Sequence, residues 1–180
     1  CILIIGSNPK STYPNVFEKI LKAQERGAKL ICVRDWKDET SDHADLFVEL
    51  QDGTELAFLN GILNLLMERR AVNVNDKLVV EAVSRYSKER VAKICNLKED
   101  DLEKVTDLIA KSKRFVLGYG MSLTQHSYGA DNVFGAINLV LAKNGKIISM
   151  RGKTNIQGVG DMGCLPKQGD TFISSVFIFP

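Results

Sequence analysis

The residues best suited to chemistry lie in one polar run near the end of the chain, Arg151-Gly152-Lys153-Thr154-Asn155-Ile156-Gln157-Gly158-Val159-Gly160-Asp161-Met162-Gly163. Its glycines permit backbone angles and close approaches that side chains forbid, so amide N–H groups can converge on a ligand. Amide and hydroxyl side chains between them add directional hydrogen bonds, and Arg151 adds a permanent positive charge. Such a run has too little apolar content to be core. It reads as a binding loop for a large, polar, anionic ligand, with a flexible glycine-rich tail as the plainer alternative.

Three further loops carry usable groups. Gly6-Ser7-Asn8-Pro9-Lys10-Ser11 can present backbone N–H groups, a hydroxyl and an amide to a phosphate. It lacks the later glycines of G-x-G-x-x-G, so it does not predict an ordinary NAD site, and a simple capped turn is the alternative. Arg34-Asp35-Trp36-Lys37-Asp38-Glu39-Thr40 holds the only Trp of the chain. Arg34 or Lys37 could meet phosphate, and Asp35 could accept from a purine edge or a ribose; a solvated charged loop is the rival. Gly120-Met121-Ser122-Leu123-Thr124-Gln125-His126 offers small and amide-bearing residues, and its lone His reads as a surface residue rather than a catalyst. No Ser–His–Asp or Cys–His arrangement is legible, so these residues describe a polar-ligand site without an evident catalytic centre.

The elements that must position these loops follow from the apolar spacing. Residues 1–6 form an isoleucine-rich run ended by glycine, as a buried parallel strand does. Val16, Ile20, Leu21 and Ala23 recur at helical spacing over 14–26, with Pro14 at the start and Gly27 at the stop. Residues 29–33 and 44–50 predict two more strands. Thr54 is placed to cap a helix whose Leu56, Leu59, Leu63, Leu66 and Met67 make one apolar stripe, expected to lie against the sheet. A charged helical stretch over 75–113, a strand over 114–120 and a helix over 128–141 complete the order. The pattern is a doubly wound α/β domain with a mainly parallel sheet flanked by helices, in which ligands bind beyond the carboxyl ends of the strands.

Bulk composition narrows the function classes. The chain has 180 residues and 44% hydrophobic content, enough for one domain with a substantial core. Its 24 basic and 22 acidic residues leave a net charge of +2, which predicts no nucleic-acid partner and no membrane surface held by bulk charge. No apolar run approaches the roughly 20 residues of a membrane-spanning helix. Cys1, Cys32, Cys95 and Cys164 form no CxxC pair and have no His at ligand spacing, so no metal site is expected from this chain alone. A reducing, cytoplasmic setting is expected. The chain opens on Cys1 inside an apolar run, so further residues are expected before it.

Taken in order, the loops resemble the central domain of the molybdopterin oxidoreductases, and more closely that of formate dehydrogenase alpha subunits than that of nitrate reductases. The likeness runs through Ile4-Ile5-Gly6-Ser7-Asn8-Pro9, Arg26-Gly27-Ala28-Lys29-Leu30-Ile31, Glu39-Thr40, Ala44-Asp45, Asp52-Gly53-Thr54 and Leu59-Asn60. It resumes at Tyr119-Gly120-Met121, Thr124-Gln125-His126 and Gly129, and ends in Arg151-Gly152, Asn155-Ile156-Gln157-Gly158 and Asp161-Met162-Gly163. The resemblance implies a domain over 1–150 that binds one guanylate arm of molybdopterin guanine dinucleotide carrying molybdenum or tungsten. It further implies a glycine-rich active-site loop over 151–170, followed by a divergent tail over 171–180.

By the same resemblance, Gly6, Ser7 and Asn8 approach the dinucleotide phosphates, and Gly53 and Thr54 line the nucleotide end. Gly120, Met121, Thr124 and Gln125 lie on the pterin side, and Lys153, Asn155 and Gln157 bind cofactor from the final loop. Arg151 matches the arginine that orients formate beside the metal, as a bidentate guanidinium suits. The family's Asp-Pro-Arg aligns with Arg34-Asp35-Trp36, which displaces the acid Asp35 by one residue, and Lys153 stands where glutamine is usual. The family's iron–sulfur segment, the segment bearing the Cys or selenocysteine metal ligand, and the C-terminal domain have no counterpart in this sequence. The resemblance therefore implies a fragment or split piece that needs the remaining domains or subunits, with no iron–sulfur cluster bound by this chain. The alternative is a non-catalytic nucleotide-binding or regulatory module derived from that fold.

Overall fold

A computed structural model describes residues 1–150, Gly152, Gly158 and 161–163. Five parallel strands form its sheet: β1 (Ile2–Ile5), β2 (Leu30–Arg34), β3 (Leu46–Glu49), β4 (Val116–Tyr119) and β5 (Lys146–Ser149), in the order β3-β2-β1-β4-β5. The centre is β1, whose Ile4 pairs with Cys32 on one side and Gly118 on the other. Both its neighbours and both its faces are covered, so the run of branched residues predicted there is fully used.

Alternate residues of the strands feed two separate cores. On one face Leu3, Ile5, Ile31, Val33, Val48 and Leu117 pack against helices α3 (Glu55–Glu68), α5 (Lys88–Cys95), α6 (Glu99–Lys111) and α8 (Gly129–Ala142). On the other, Ile4, Leu30, Cys32 and Met150 meet Ile20 of α2 (Pro14–Glu25). Helices on both faces of a parallel sheet make the doubly wound α/β architecture that the apolar spacing predicts. A four-residue helix α1 (Pro9–Thr12) precedes α2, and both begin at a proline, whose fixed φ suits a first helical turn. The short α4 (Lys77–Val83) and α5 carry side-chain caps, Asp76 accepting from the N–H groups of Leu78 and Val79, and Ser87 from that of Arg90.

Helix α3 departs from the expected amphipathic stripe. It is buried on nearly every side, because α4, α5, α6 and α8 surround the faces that the sheet does not cover. The positions that read as polar are absorbed by neighbours: a β-carbon at Gly61 would lie 2.6 Å from a Val91 methyl, and Asn64 donates to Glu68 at 2.8 Å. Thr54 does stand at the N-cap, but its hydroxyl donates to the Gln51 carbonyl at 2.6 Å instead of capping α3. Besides the one-turn α1, two elements lie outside the helices and strands that the sequence predicts. Edge strand β5 has all four residues exposed and so lacks any apolar alternation, and α7 (Met121–Thr124) is a single turn. Between β2 and β3 the chain makes only a 3-10 turn at Ser41–His43. No described helix is long and apolar enough to cross a membrane.

Candidate functional site

The strand order reverses at β1 and β4, whose following loops leave in opposite directions and open a crevice at the carboxyl edge of the sheet. Gly6 ends β1 with φ +62°, and its N–H donates to Val33 at 3.1 Å. Gly120 ends β4, its N–H donating to Ile5 at 3.0 Å. The two glycines meet: a β-carbon on Gly120 would run into the Gly6 carbonyl, and one on Gly6 into the Ser122 side chain. Their amides therefore belong to the sheet, and their bareness makes the floor of the crevice.

Above this floor lies a hollow of about 390 Å³ that gathers Gly6, Ser7, Asn8, Asp35, Met121 and Gln125 from loops far apart in the chain. Thr12, Asp52, Ser122 and Met150 complete its walls, and Gly152 lies there too, beside Met121. A second hollow of about 570 Å³ shares Asn8, Thr12, Arg34 and Trp36 with the first, so a groove runs on along the 34–42 loop.

The polar groups of the groove divide into those already committed and those free. Asn8 is committed: its amide donates to Glu39 at 2.6 Å, and its carbonyl accepts from Thr40 at 2.7 Å. It pins the first loop to the second while lining both hollows. Ser7 is buried and its hydroxyl faces the Met150 carbonyl at 3.4 Å. Asp38 organises its own loop, its carboxylate accepting from the N–H groups of Thr40 and Ser41 at 3.0 and 2.8 Å and pairing with Arg34. That pair is nearly buried, the side chains being 13% and 5% exposed. The Arg34 guanidinium also lies 4.6 Å from the Trp36 ring, whose indole is otherwise exposed. Asp35, by contrast, is exposed on the wall with no partner among the described residues. Such a carboxylate can accept hydrogen bonds from a ligand.

Two buried atoms lack partners where the groove meets the sheet, Nε of Arg34 and Oε2 of Glu55. Both residues border one small cavity of about 10 Å³, together with Asp35, Asp52 and Ser122. Burial pushes the Glu55 carboxyl above its ordinary range, against the pull of the backbone amides of Glu55 and Gly53 and of His126. Elsewhere burial pushes the Cys32 thiol to about 12 and the Cys95 thiol to about 11, which keeps both protonated and poor metal ligands near neutrality.

Gly53, Thr54, Gly120 and Thr124 are not among the residues that line the hollow. The Gly53 carbonyl accepts from the Tyr128 hydroxyl at 2.9 Å, and the exposed Thr124 hydroxyl turns back toward Met121. Arg151, Lys153, Asn155 and Gln157 lie outside the described residues. Asp52 and Ser122 come from strand-end loops at which the sequence places a ligand, whereas Thr12 reaches the wall from the end of α1, where no local pattern points to it. A further hollow of about 960 Å³ lies at the opposite edge of the sheet among Lys19, Lys22, Arg26, Lys29, Lys113 and Arg114. It touches none of the predicted loops and sits at the amino ends of the strands, where a doubly wound sheet forms no ligand crevice.

No family model matches the sequence. The chain is 29% identical to the F420-dependent formate dehydrogenase subunit alpha of Methanocaldococcus jannaschii, over 92% of this chain and 27% of that protein. It is 28% identical to formate dehydrogenase H of Escherichia coli, over 92% of this chain and 25% of that protein. The chain thus spans about a quarter of the length of these relatives. Among solved structures, acetylene hydratase from Pelobacter acetylenicus superposes with a TM-score of 0.73 at 19% identity, covering 80% of this chain and 21% of that one, a likeness of fold. The resemblance carried by the loops, to the molybdopterin oxidoreductases and among them to formate dehydrogenase alpha subunits, therefore extends over nearly the whole chain.

Proposed function

We propose that the groove holds one guanylate arm of a molybdopterin guanine dinucleotide, and that this chain is a cofactor-binding piece of a formate dehydrogenase-like oxidoreductase. The observation that carries the reading is the meeting of loops from β1, β2, β3 and β4 on one groove at the switch point. The residues present fit the group. The hollows have the size of small-molecule sites. The close approach of Gly6 and Gly120 brings the loops after β1 and β4 together beneath the groove, Asp35 offers an exposed acceptor for a guanine edge or ribose, and Trp36 offers an aromatic face.

In this reading residues 1–150 form the cofactor domain and 151–170 the active-site loop. When bound in the complete enzyme, the cofactor with molybdenum or tungsten supplies the two-electron acceptor for formate going to CO2. Arg151 orients the formate carboxylate through a bidentate guanidinium contact. Remaining domains or subunits, including an iron–sulfur segment, supply the metal ligand and the electron path.

Trp36 is the only Trp, so its fluorescence reports directly on the groove. Titration of GDP into the chain should quench it saturably, while the chain alone should show no formate-dependent dye reduction. A folded chain that binds no guanine nucleotide at any accessible concentration would overturn the reading.

A further inference from the structure

Three side chains, of which Asp52 also lines the groove, meet at its rim. Asp52 in the turn after β3, Glu55 at the start of α3 and His126 after α7 each place a ligand atom within 4.8 Å of the other two. Glu55 is only 4% exposed, and its Oε2 has no hydrogen-bond partner. A carboxylate so buried is costly unless a proton or a cation meets it. The His126 ring is held in place by stacking on Tyr128, with centroids 5.3 Å apart and planes 8° from parallel, while the Tyr128 hydroxyl donates to Gly53. Its Nε2 stands 3.6 Å from the Asp52 carboxylate, beyond hydrogen-bond distance. Asp52 is the exposed member, with a side chain 62% exposed.

We propose that Asp52, Glu55 and His126 form a site for one divalent cation of the Mn2+ and Zn2+ class, with its remaining coordination positions open toward the groove. One imidazole nitrogen and two carboxylate oxygens suit these ions, whereas soft ions favour thiolates. Ligand bonds of about 2.0–2.2 Å require the three atoms to draw closer, which the exposed Asp52 can do with least disturbance to the fold. Stacking on Tyr128 fixes the plane of the imidazole ring. Asp52 also lines the hollow beside Gly6, Ser7 and Asn8. The ion's open positions therefore face the place where a phosphate would lie, and its charge offsets the Asp35 and Asp52 carboxylates that would otherwise repel one. This link to phosphate rests on the nucleotide reading above; the cation site does not.

The test is a titration of Mn2+ into the 180-residue chain near neutral pH, with the free ion followed by electron paramagnetic resonance. Uptake of one equivalent is expected, weakened about tenfold or more in Glu55→Gln and in His126→Gln. Circular dichroism of both variants should match the parent, and His43→Gln should bind as the parent does. Pulsed spectra should show a nitrogen coupling from bound imidazole that His126→Gln abolishes. Failure to bind one equivalent, or binding that both substitutions leave unchanged, overturns the proposal. GDP affinity measured with and without Mn2+ separates the two readings. Mn2+ uptake without GDP binding would sustain the cation site and defeat the nucleotide groove, and GDP binding without Mn2+ uptake would do the reverse.

Discussion

The carbonyl of Gly6 occupies the space that a β-carbon on Gly120 would need. The contact joins the ends of β1 and β4 at the point where the strand order reverses, and the groove opens directly above it. Gly120→Ala should force the two loops apart and lower stability by about 1–3 kcal/mol, as overpacking does elsewhere. Thermal melting measures the loss, and GDP titration should show weakened binding as well. An unshifted melt would mean that the loops can part freely.

Trp36 is 57% exposed, with Arg34 against its ring. If its indole supports a guanine base, Trp36→Ala should weaken GDP binding roughly tenfold, the scale of a base–aromatic stacking contact. Trp36→Phe should recover part of that loss. Calorimetric titration is the suitable measurement, since the substitution removes the fluorophore. Unchanged affinity in Trp36→Ala would place the base elsewhere in the groove.

Asp38 should matter more for stability than other surface-loop acids. It pairs with Arg34 in nearly buried surroundings and also accepts from two backbone amides. Removing it as Asp38→Ala leaves a half-buried guanidinium and two unsatisfied N–H groups, so a loss of about 3 kcal/mol is expected. Urea denaturation should show it; a loss as small as that of an exposed ion pair would argue that water reaches Arg34.

Asp45 supplies a pH-dependent contribution. Its partial burial raises the carboxyl's pKa, but the Lys29 ammonium, the Leu30 N–H and the Gln24 amide together outweigh this and hold it below its ordinary value. A depressed folded value means that the stabilisation is present above the unfolded value of about 3.9 and disappears as pH falls through the folded one. Asp45→Asn should therefore cost less than about 1 kcal/mol at neutral pH, given the exposure of Lys29, and nothing in strong acid. Stability measured against pH for both proteins should converge at low pH; parallel curves would remove the charge from the account.

If the chain is part of a formate dehydrogenase-like enzyme, as proposed, Arg151→Lys in that enzyme should depress formate oxidation on the order of a hundredfold, because an ammonium cannot reproduce the bidentate orientation of a carboxylate. Molybdenum or tungsten content and pterin content should stay near the parent level. An equal loss of activity and cofactor would make Arg151 a cofactor contact only.

The sheet and its order of elements were legible because a central parallel strand such as Ile2–Ile5 must be apolar on both faces, and a glycine must follow where the chain turns away. The loops at the strand ends were legible for the same reason, since a doubly wound sheet brings the carboxyl ends of all its strands to one edge. The edge strand β5 was not, since a strand with every residue exposed carries no apolar period. Nor was the use to which each polar side chain is put. That Asn8 bonds to Glu39 and Thr40, and that His126 stands beside Asp52 and Glu55, are pairings between loops that no local pattern carries. Residue types and spacing set which segments meet at an edge, because burial of apolar area is periodic along the chain. Which donors meet which acceptors depends on distances between segments far apart in sequence, and those distances exist only once the sheet has brought the loops together.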